Sequence, residues 1–131
     1  MEKDETPSND ITNYYGSIKQ MKDMFAVLDK TSELIEDVKQ SDIYVEYKEA
    51  LRELQKDPVL LEKADAFRKA QYEEVALHSK PLGFAEVSHM EEAYEKIAEY
   101  PAIDRFLKAE LALCRLLQRI QDNIVEAIDF R

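Results

Sequence analysis

The most regular feature of the chain is a helical spacing of apolar residues, interrupted at a few prolines and polar turns. Apolar positions at steps of three and four predict a first helix over about Met24–Gln40. A second segment follows Ser41, a suitable N-cap, and is either separate from the first helix or continuous with it. A third begins at Asp57-Pro58, because aspartate can cap a first turn and proline fits the first helical position. Pro81 is expected to end it.

The same pattern predicts two further helices in the last third of the chain. A short one should cover about Ser88–Glu99, and a long one should start at Pro101. The long segment has no glycine and no internal proline, so it can form one helix of about 28 residues, roughly 42 Å in length. We expect it to be the longest element of the fold.

The apolar residues of this last helix occupy an unusually wide arc. Counting 100° per residue, the arc covers roughly 220°, about twice what a surface helix needs. The helix is therefore either central in its own bundle or also in contact with a second subunit, and we favour a homodimer. The predicted oligomer interface consists of Leu113, Leu116, Leu117, Ile120 and Ile124.

Glu110 falls inside this apolar arc. A carboxylate that is removed from water needs a partner, which Arg68 or Arg115 could supply. We therefore interpret Glu110 as a paired interface carboxylate, in preference to a functional ligand.

Composition decides the fold class. Two glycines and four prolines among 131 residues leave too few turns for a β-sandwich or a β-barrel, so we predict an all-α protein. Residues 1–23 are expected to form a flexible extension, since the first ten are polar, acidic and interrupted by Pro7. Residues 24–131 are expected to form one helical domain.

Charge and targeting signals restrict the possible partners. The formal net charge of −10 argues against direct binding to nucleic acid or to an anionic membrane surface. Neither a secretory signal nor a run of 18 apolar residues is present, so we expect a cytoplasmic protein.

The residues that could carry catalysis or bind metal are few. Cys114, the single cysteine, lies in the apolar stripe of the last helix and is expected to pack as a small hydrophobe. Glu86 and His89 have the Glu-x-x-His spacing of di-iron bundles, but such a site needs that pair twice. His78 loosely matches a phosphotransfer motif, although Pro81 follows too closely for a mid-helix histidine. We expect no enzymatic activity and no bound metal.

Tyrosines are the more suggestive residues, because they are enriched at protein interfaces. They are interpreted either as core and groove lining or as contact surface. The predicted partner surface consists of Tyr44, Tyr47 and Tyr72.

The order of these elements resembles one known family. The resemblance rests on four short segments: the helix start Ser41…Tyr44…Tyr47-Lys48, then Asp57-Pro58, then Phe67…Gln71, and finally Pro101…Phe106-Leu107…Ala109-Glu110…Leu113…Leu116-Leu117. Together they resemble the YlbF/YmcA family, also grouped with YheA, over about residues 27–128.

This resemblance implies a small bacterial regulator with an antiparallel helical fold that oligomerises and has no catalytic residues. Family members are linked to competence, sporulation and biofilm formation, and act in a complex that influences messenger-RNA processing by a membrane-anchored ribonuclease. Some members of that complex hold iron–sulfur clusters through cysteines. One cysteine cannot supply the four ligands of a cluster, so we expect no cofactor here.

These inferences predict a non-enzymatic cytoplasmic adapter. Its partners would be proteins, such as family paralogues or a ribonuclease complex. The alternative is a structural oligomer of the same fold that has no regulatory role.

Overall fold

The computed structural model describes residues 17–76 and 83–128. Within these two ranges the chain forms five α-helices and no β-strand, which confirms the all-α class. The helices are α1 (Ile18–Lys39), α2 (Asp42–Gln55), α3 (Pro58–Ala76), α4 (Phe84–Ile97) and α5 (Pro101–Ile128). The chain divides after Ser41 into two compact units, of which the first contains α1 and the second contains α2–α5.

Helix α1 begins six residues before the predicted start at Met24. A capping box explains the difference: the Gln20 N–H donates to Ser17 Oγ (3.2 Å), and the Ser17 N–H donates to Gln20 Oε1 (2.7 Å). Residues 18–23 of the predicted extension are therefore helical, while residues 1–16 lie outside the described part of the chain. No residue of α1 is buried.

Local capping chemistry sets the start of α3. Asp57 Oδ1 accepts hydrogen bonds from the backbone N–H groups of Val59 (3.1 Å) and Leu60 (3.3 Å). These bonds satisfy two donors that a helix N-terminus otherwise leaves without intrahelical partners. The predicted start at Asp57-Pro58 is confirmed, and α2 and α3 are separate helices.

The last two helices differ in how well the sequence predicted them. Helix α4 begins at Phe84, four residues before the predicted Ser88, with Gly83 in an extended conformation at the N-cap. It ends at Ile97, two residues before the predicted Glu99. Helix α5 starts at Pro101 and has 28 residues, which confirms the predicted length.

The core of the second unit lies where α2 meets α5. Helix α2 makes its most extensive contacts with α5, and α3 contacts α2, α4 and α5. The buried residues of the described ranges are Ala50, Leu54, Ala64, Ile103, Phe106, Leu107 and Ala109. Three of these are alanines, so the helices approach closely around a small core. The antiparallel arrangement implied by the family resemblance stays a prediction.

The lengths of the helices do not match, and α5 extends far beyond the core. At 1.5 Å per residue, the 28-residue α5 is roughly 42 Å long, whereas the 14-residue α2 is roughly 21 Å long. Every buried residue of α5 lies between Ile103 and Ala109. From residue 111 to residue 128, all side chains of α5 are exposed or half-buried.

Candidate interaction surface

The second half of α5 carries a continuous apolar surface, here called the distal stripe and defined by the five predicted interface residues. Leu113, Leu116 and Ile120 are half-buried, whereas Leu117 and Ile124 are 50% and 54% exposed. Two further apolar residues of this half, Val125 and Ile128, are 50% and 60% exposed. The helix therefore brings the predicted residues together on one side. That a second subunit covers them stays a prediction.

The predicted tyrosine surface is divided between two helices. Tyr44 and Tyr47 are neighbours on α2, with ring centroids 6.4 Å apart, and both are half-buried. The Tyr47 ring also packs against Phe106 at 5.7 Å, so this tyrosine belongs to the margin of the core. Tyr72 lies on α3 and is 74% exposed. Of the three residues, Tyr72 is the one whose ring is most available to a partner.

A groove of about 500 Å³ opens between α3, α4 and α5. Its lining residues are Phe67, Gln71, Met90, Tyr94, Leu107, Glu110, Leu111 and Cys114. Cys114 is exposed, so the prediction that its thiol packs in the core is wrong. The reason is its position on α5, because the buried part of that helix ends at Ala109, more than one turn earlier.

Glu110 is paired across this groove. Arg68 on α3 donates from Nε to Glu110 Oε1 (3.2 Å) and from Nη2 to Oε2 (2.6 Å), which is the bidentate geometry of strong arginine–carboxylate pairs. The Arg68 guanidinium also lies 5.6 Å from the centre of the Phe106 ring. The predicted pairing of Glu110 is confirmed, and Arg68 is the partner. That Glu110 lies at an interface stays a prediction.

A second polar connection joins α4 to α5 beside the groove. The Tyr94 hydroxyl donates to Asp104 Oδ1 (3.2 Å), and Lys108 Nζ lies 2.9 Å from Asp104 Oδ2. Burial raises the pKa of Tyr94, as does its bond to Asp104. The hydrogen bond from Lys108 lowers the pKa of Asp104. Sequence reasoning missed this connection, although the i, i+4 spacing of Asp104 and Lys108 was visible.

An arginine holds α2 against α5. Arg105 donates to both carboxylate oxygens of Glu46, each at 2.8 Å, and its Nη2 lies 3.5 Å from Glu49 Oε2. The hydrogen bond from Arg105 lowers the pKa of Glu46, and the reciprocal interaction raises the pKa of Arg105. The polar bonds described for Glu110, Asp104 and Arg105 all involve α5 at or before residue 110, so they fix the first half of that helix. The distal stripe lies on the half of α5 that follows these bonds.

A further groove of about 610 Å³ lies between α3 and α4. It is lined by Lys63, Ala66, Phe67, Ala93, Lys96, Ile97, Glu99 and Tyr100. The Lys63 ammonium group lies 5.7 Å from the centre of the Tyr100 ring. Tyr100 thus lines a groove, which was one of the two interpretations offered for the tyrosines.

The histidines form no recognisable site in the described part of the chain. His89 is exposed on α4, and His78 lies outside the described residues. Within residues 17–76 and 83–128, no group of three or more His, Cys, Asp or Glu side chains is arranged to hold a metal ion. None of the helices in these ranges combines the length and the apolarity needed to cross a bilayer.

Comparison with known proteins places the chain in a family. A family model described as "Control of competence regulator ComK, YlbF/YmcA" matches residues 27–129. A UPF0342 protein of Caldicellulosiruptor bescii is 27% identical over 107 residues, which cover 80% of this chain and 90% of that protein. A UPF0342 protein of Caldicellulosiruptor saccharolyticus is 28% identical over 107 residues, covering 80% and 89%. No solved structure matches significantly. Since the family model spans well over half of its length, the chain belongs to the YlbF/YmcA family.

Proposed function

We propose that this protein is a non-enzymatic adapter that takes part in the control of competence through protein–protein contacts. The observation that carries the proposal is the family match over residues 27–129, whose description names control of the competence regulator ComK. The surface of the chain supports a binding role, because α1 and the second half of α5 expose large apolar residues. The most exposed of these include Val27 at 67% and Ile128 at 60%.

The finer expectations from the resemblance belong to the same proposal. The adapter would act in the cytoplasm, with family paralogues or a ribonuclease complex as protein partners, and would influence RNA processing, sporulation or biofilm formation through them. The net charge of −10 supports an indirect role, because neutralising a phosphate backbone needs clustered cations. Contact with RNA would therefore run through a partner.

The second candidate is a structural oligomer of the same fold with no regulatory role. It is favoured by the same exposed apolar residues, which self-association alone could cover. The two candidates differ in whether loss of the gene changes the control of competence.

A genetic experiment in the native host separates them. Deletion of the gene should change transcription from a ComK-dependent promoter, and the wild-type chain should restore it. Tyr72→Ala, which removes a ring that is 74% exposed, should restore it less well, because aromatic anchors carry much of the energy of an interface. Phe84→Ala is the matched control, since its ring is 88% exposed on α4, outside the predicted partner surface.

Two results would count against the adapter. A deletion that leaves the promoter unchanged would favour the structural oligomer. Tight binding of the purified chain to RNA in a gel shift at physiological salt would refute the indirect route.

A further inference from the structure

The groove between α3 and α4 combines apolar and cationic side chains. Of its lining residues, Phe67, Ala93 and Ile97 are half-buried, whereas Lys63 and Lys96 are exposed. The alanine at position 93 leaves space that a longer side chain of α4 would fill. The volume of about 610 Å³ lies in the range of sites that hold small ligands. The groove therefore has room for one large apolar side chain and the backbone next to it.

Each of the two helices contributes one charged side chain to the lining, and in both cases it is a lysine. Helix α3 contributes Lys63, and α4 contributes Lys96. Each helix also carries four Asp or Glu residues, and none of these lines the groove. Glu99, which follows α4, is the only carboxylate among the lining residues that the structure describes. The groove thus has one positive charge in excess, on a chain whose net charge is −10.

Two ring contacts show that both lysines lie at the same end of the groove. The Lys63 ammonium group lies over the Tyr100 ring, and Phe67 packs against Tyr94 with ring centroids 6.3 Å apart. Later residues of α3 therefore meet earlier residues of α4, which places both lysines toward Tyr100 and Phe67 away from it. Lys63 and Phe67 are four positions apart, so the cationic end and the apolar end are separated by about 6 Å along the helix.

Both ammonium groups are available to an anion. No carboxylate in the described part of the chain forms an ion pair with Lys63 or Lys96, whereas Lys56 and Lys108 are each paired with a neighbouring acid. The face of the Tyr100 ring attracts the Lys63 ammonium group without neutralising its charge. The acidic chain repels a highly charged anion at long range. A single carboxylate is therefore the anion that matches this end of the groove.

We propose that the groove between α3 and α4 binds a short segment of a protein partner that carries one large apolar side chain and one carboxylate, with one residue between them. In an extended segment such side chains point to the same side, about 6.6 Å apart, which matches the spacing along the groove. The apolar side chain packs against Phe67 and Ile97, and the carboxylate binds Lys63 and Lys96. This inference rests on the proposed adapter role, because it names the chemistry that a protein partner presents.

Nuclear magnetic resonance on the full, isotope-labelled chain tests the binding. The probes are two capped peptides with one carboxylate each, acetyl-Ser-Phe-Ser-Glu-Ser-amide and acetyl-Ser-Glu-Ser-Phe-Ser-amide, which cover both directions along the groove. At least one should shift the backbone amide signals of Phe67, Ala93 and Ile97 with a Kd of about 1 mM or below, and leave those of the distal stripe unchanged.

Changes in the probe separate the two parts of the interaction. Glutamine in place of the peptide's glutamate should weaken binding about two- to fivefold, as expected for an exposed ion pair. Alanine in place of its phenylalanine should weaken binding roughly tenfold or more, because the apolar contact is lost.

Two sets of matched variants locate the binding. The double variant Lys63→Gln with Lys96→Gln should bind the glutamate and glutamine peptides equally, whereas Lys69→Gln, at an exposed position of α3 outside the groove, should keep the preference. Ala66→Leu fills part of the groove from its exposed rim and should weaken binding of both peptides roughly tenfold or more. Ala70→Leu adds the same group one turn later, outside the groove, and should change neither affinity. Circular dichroism establishes that the variants stay helical.

Three outcomes would overturn the inference. The first is the absence of any shift in the groove with either peptide at about 10 mM. The second is a set of shifts confined to the distal stripe, which would mean that the peptides bind exposed apolar surface. The third is an equal response to the glutamine peptide, or to inorganic phosphate alone, which would mean that the carboxylate is not recognised.

Failure of this inference can be told apart from failure of the adapter role. The peptide titration uses the purified chain, so a negative result leaves the promoter experiment unaffected. A gene deletion that leaves the promoter unchanged would in turn leave peptide binding unaffected.

Discussion

Leu54→Ala tests whether the small core between α2 and α5 holds the second unit together. Leu54 is fully buried and, with Ile103, is one of the two largest side chains in the described ranges that lose all contact with solvent. Four buried residues, Ile103 among them, belong to α5, whereas α2 contributes Ala50 and Leu54. Leu54 is therefore the larger of the two buried side chains with which α2 packs in this core. The variant removes three carbons from the place where the two helices meet.

The expected loss follows from the burial. Three buried carbons at about 0.8 kcal/mol each give roughly 2.4 kcal/mol, and the remaining cavity adds to this value. Half-buried neighbours such as Tyr47, Leu51 and Leu61 can relax into part of the space, which limits the cavity cost. We expect the free energy of unfolding to fall by about 3 kcal/mol, a large share of the 5–15 kcal/mol typical of domains.

Urea unfolding followed by far-ultraviolet circular dichroism measures this loss, since the chain is helical and has no tryptophan. With a slope of about 1.5 kcal/mol per molar urea, the midpoint should fall by about 2 M. Val59→Ala is the control: Val59 is 63% exposed in the first turn of α3, and its truncation should cost less than about 0.5 kcal/mol. Equal midpoints for the two variants would refute the assignment of the core.

Three further predictions concern polar groups. Asp57→Ala removes the cap of α3 and should lower the free energy of unfolding by about 1 kcal/mol in urea titrations. Asp57→Asn should keep most of the stabilisation, because its side-chain oxygen can still accept the two hydrogen bonds; equal losses for the two variants would contradict the capping role. A double-mutant cycle with Arg68→Ala and Glu110→Ala should give a coupling of about 1 kcal/mol, because the pair is bidentate and Glu110 is half-buried; additive losses would show that the pair is solvated. Asp104→Asn should flatten the acid side of the stability profile. Lys108 holds the pKa of Asp104 below its ordinary value, so the wild-type carboxylate stabilises the fold above that ordinary value and loses its contribution as the pH falls through the lowered pKa. Parallel acid profiles for wild type and variant would contradict this.

Element boundaries were predictable wherever a local signal was strong. Asp57-Pro58 and Pro101 start α3 and α5 where the sequence predicted, because capping and proline geometry depend on adjacent residues alone. The start of α1 was missed because the apolar spacing before Met24 is weak. The signal was nevertheless present, since Ser17 followed three residues later by Gln20 is the pattern of a capping box.

The environment of individual side chains was harder to predict. That Glu110 has a cationic partner could be inferred from residue types, because a shielded carboxylate needs a cation. The choice of Arg68 over Arg115 required the structure. Cys114 shares the apolar arc with buried residues of α5, yet it is exposed. Periodicity shows which side of a helix is apolar, but the position at which the helix leaves its core depends on the lengths of its neighbours.

The contact between α2 and α5 also governs how the chain can fold during its synthesis. Glu46 and Arg105 are 59 positions apart, and closing so long a loop costs entropy before any packing compensates for it. Helix α2 has 14 residues and is marginal without its packing partner. At 5–20 residues per second, a ribosome needs roughly 3–12 s to add the 59 residues that lead from Glu46 to Arg105. The core side of α2 thus stays open to other proteins, chaperones among them, for seconds in every round of translation.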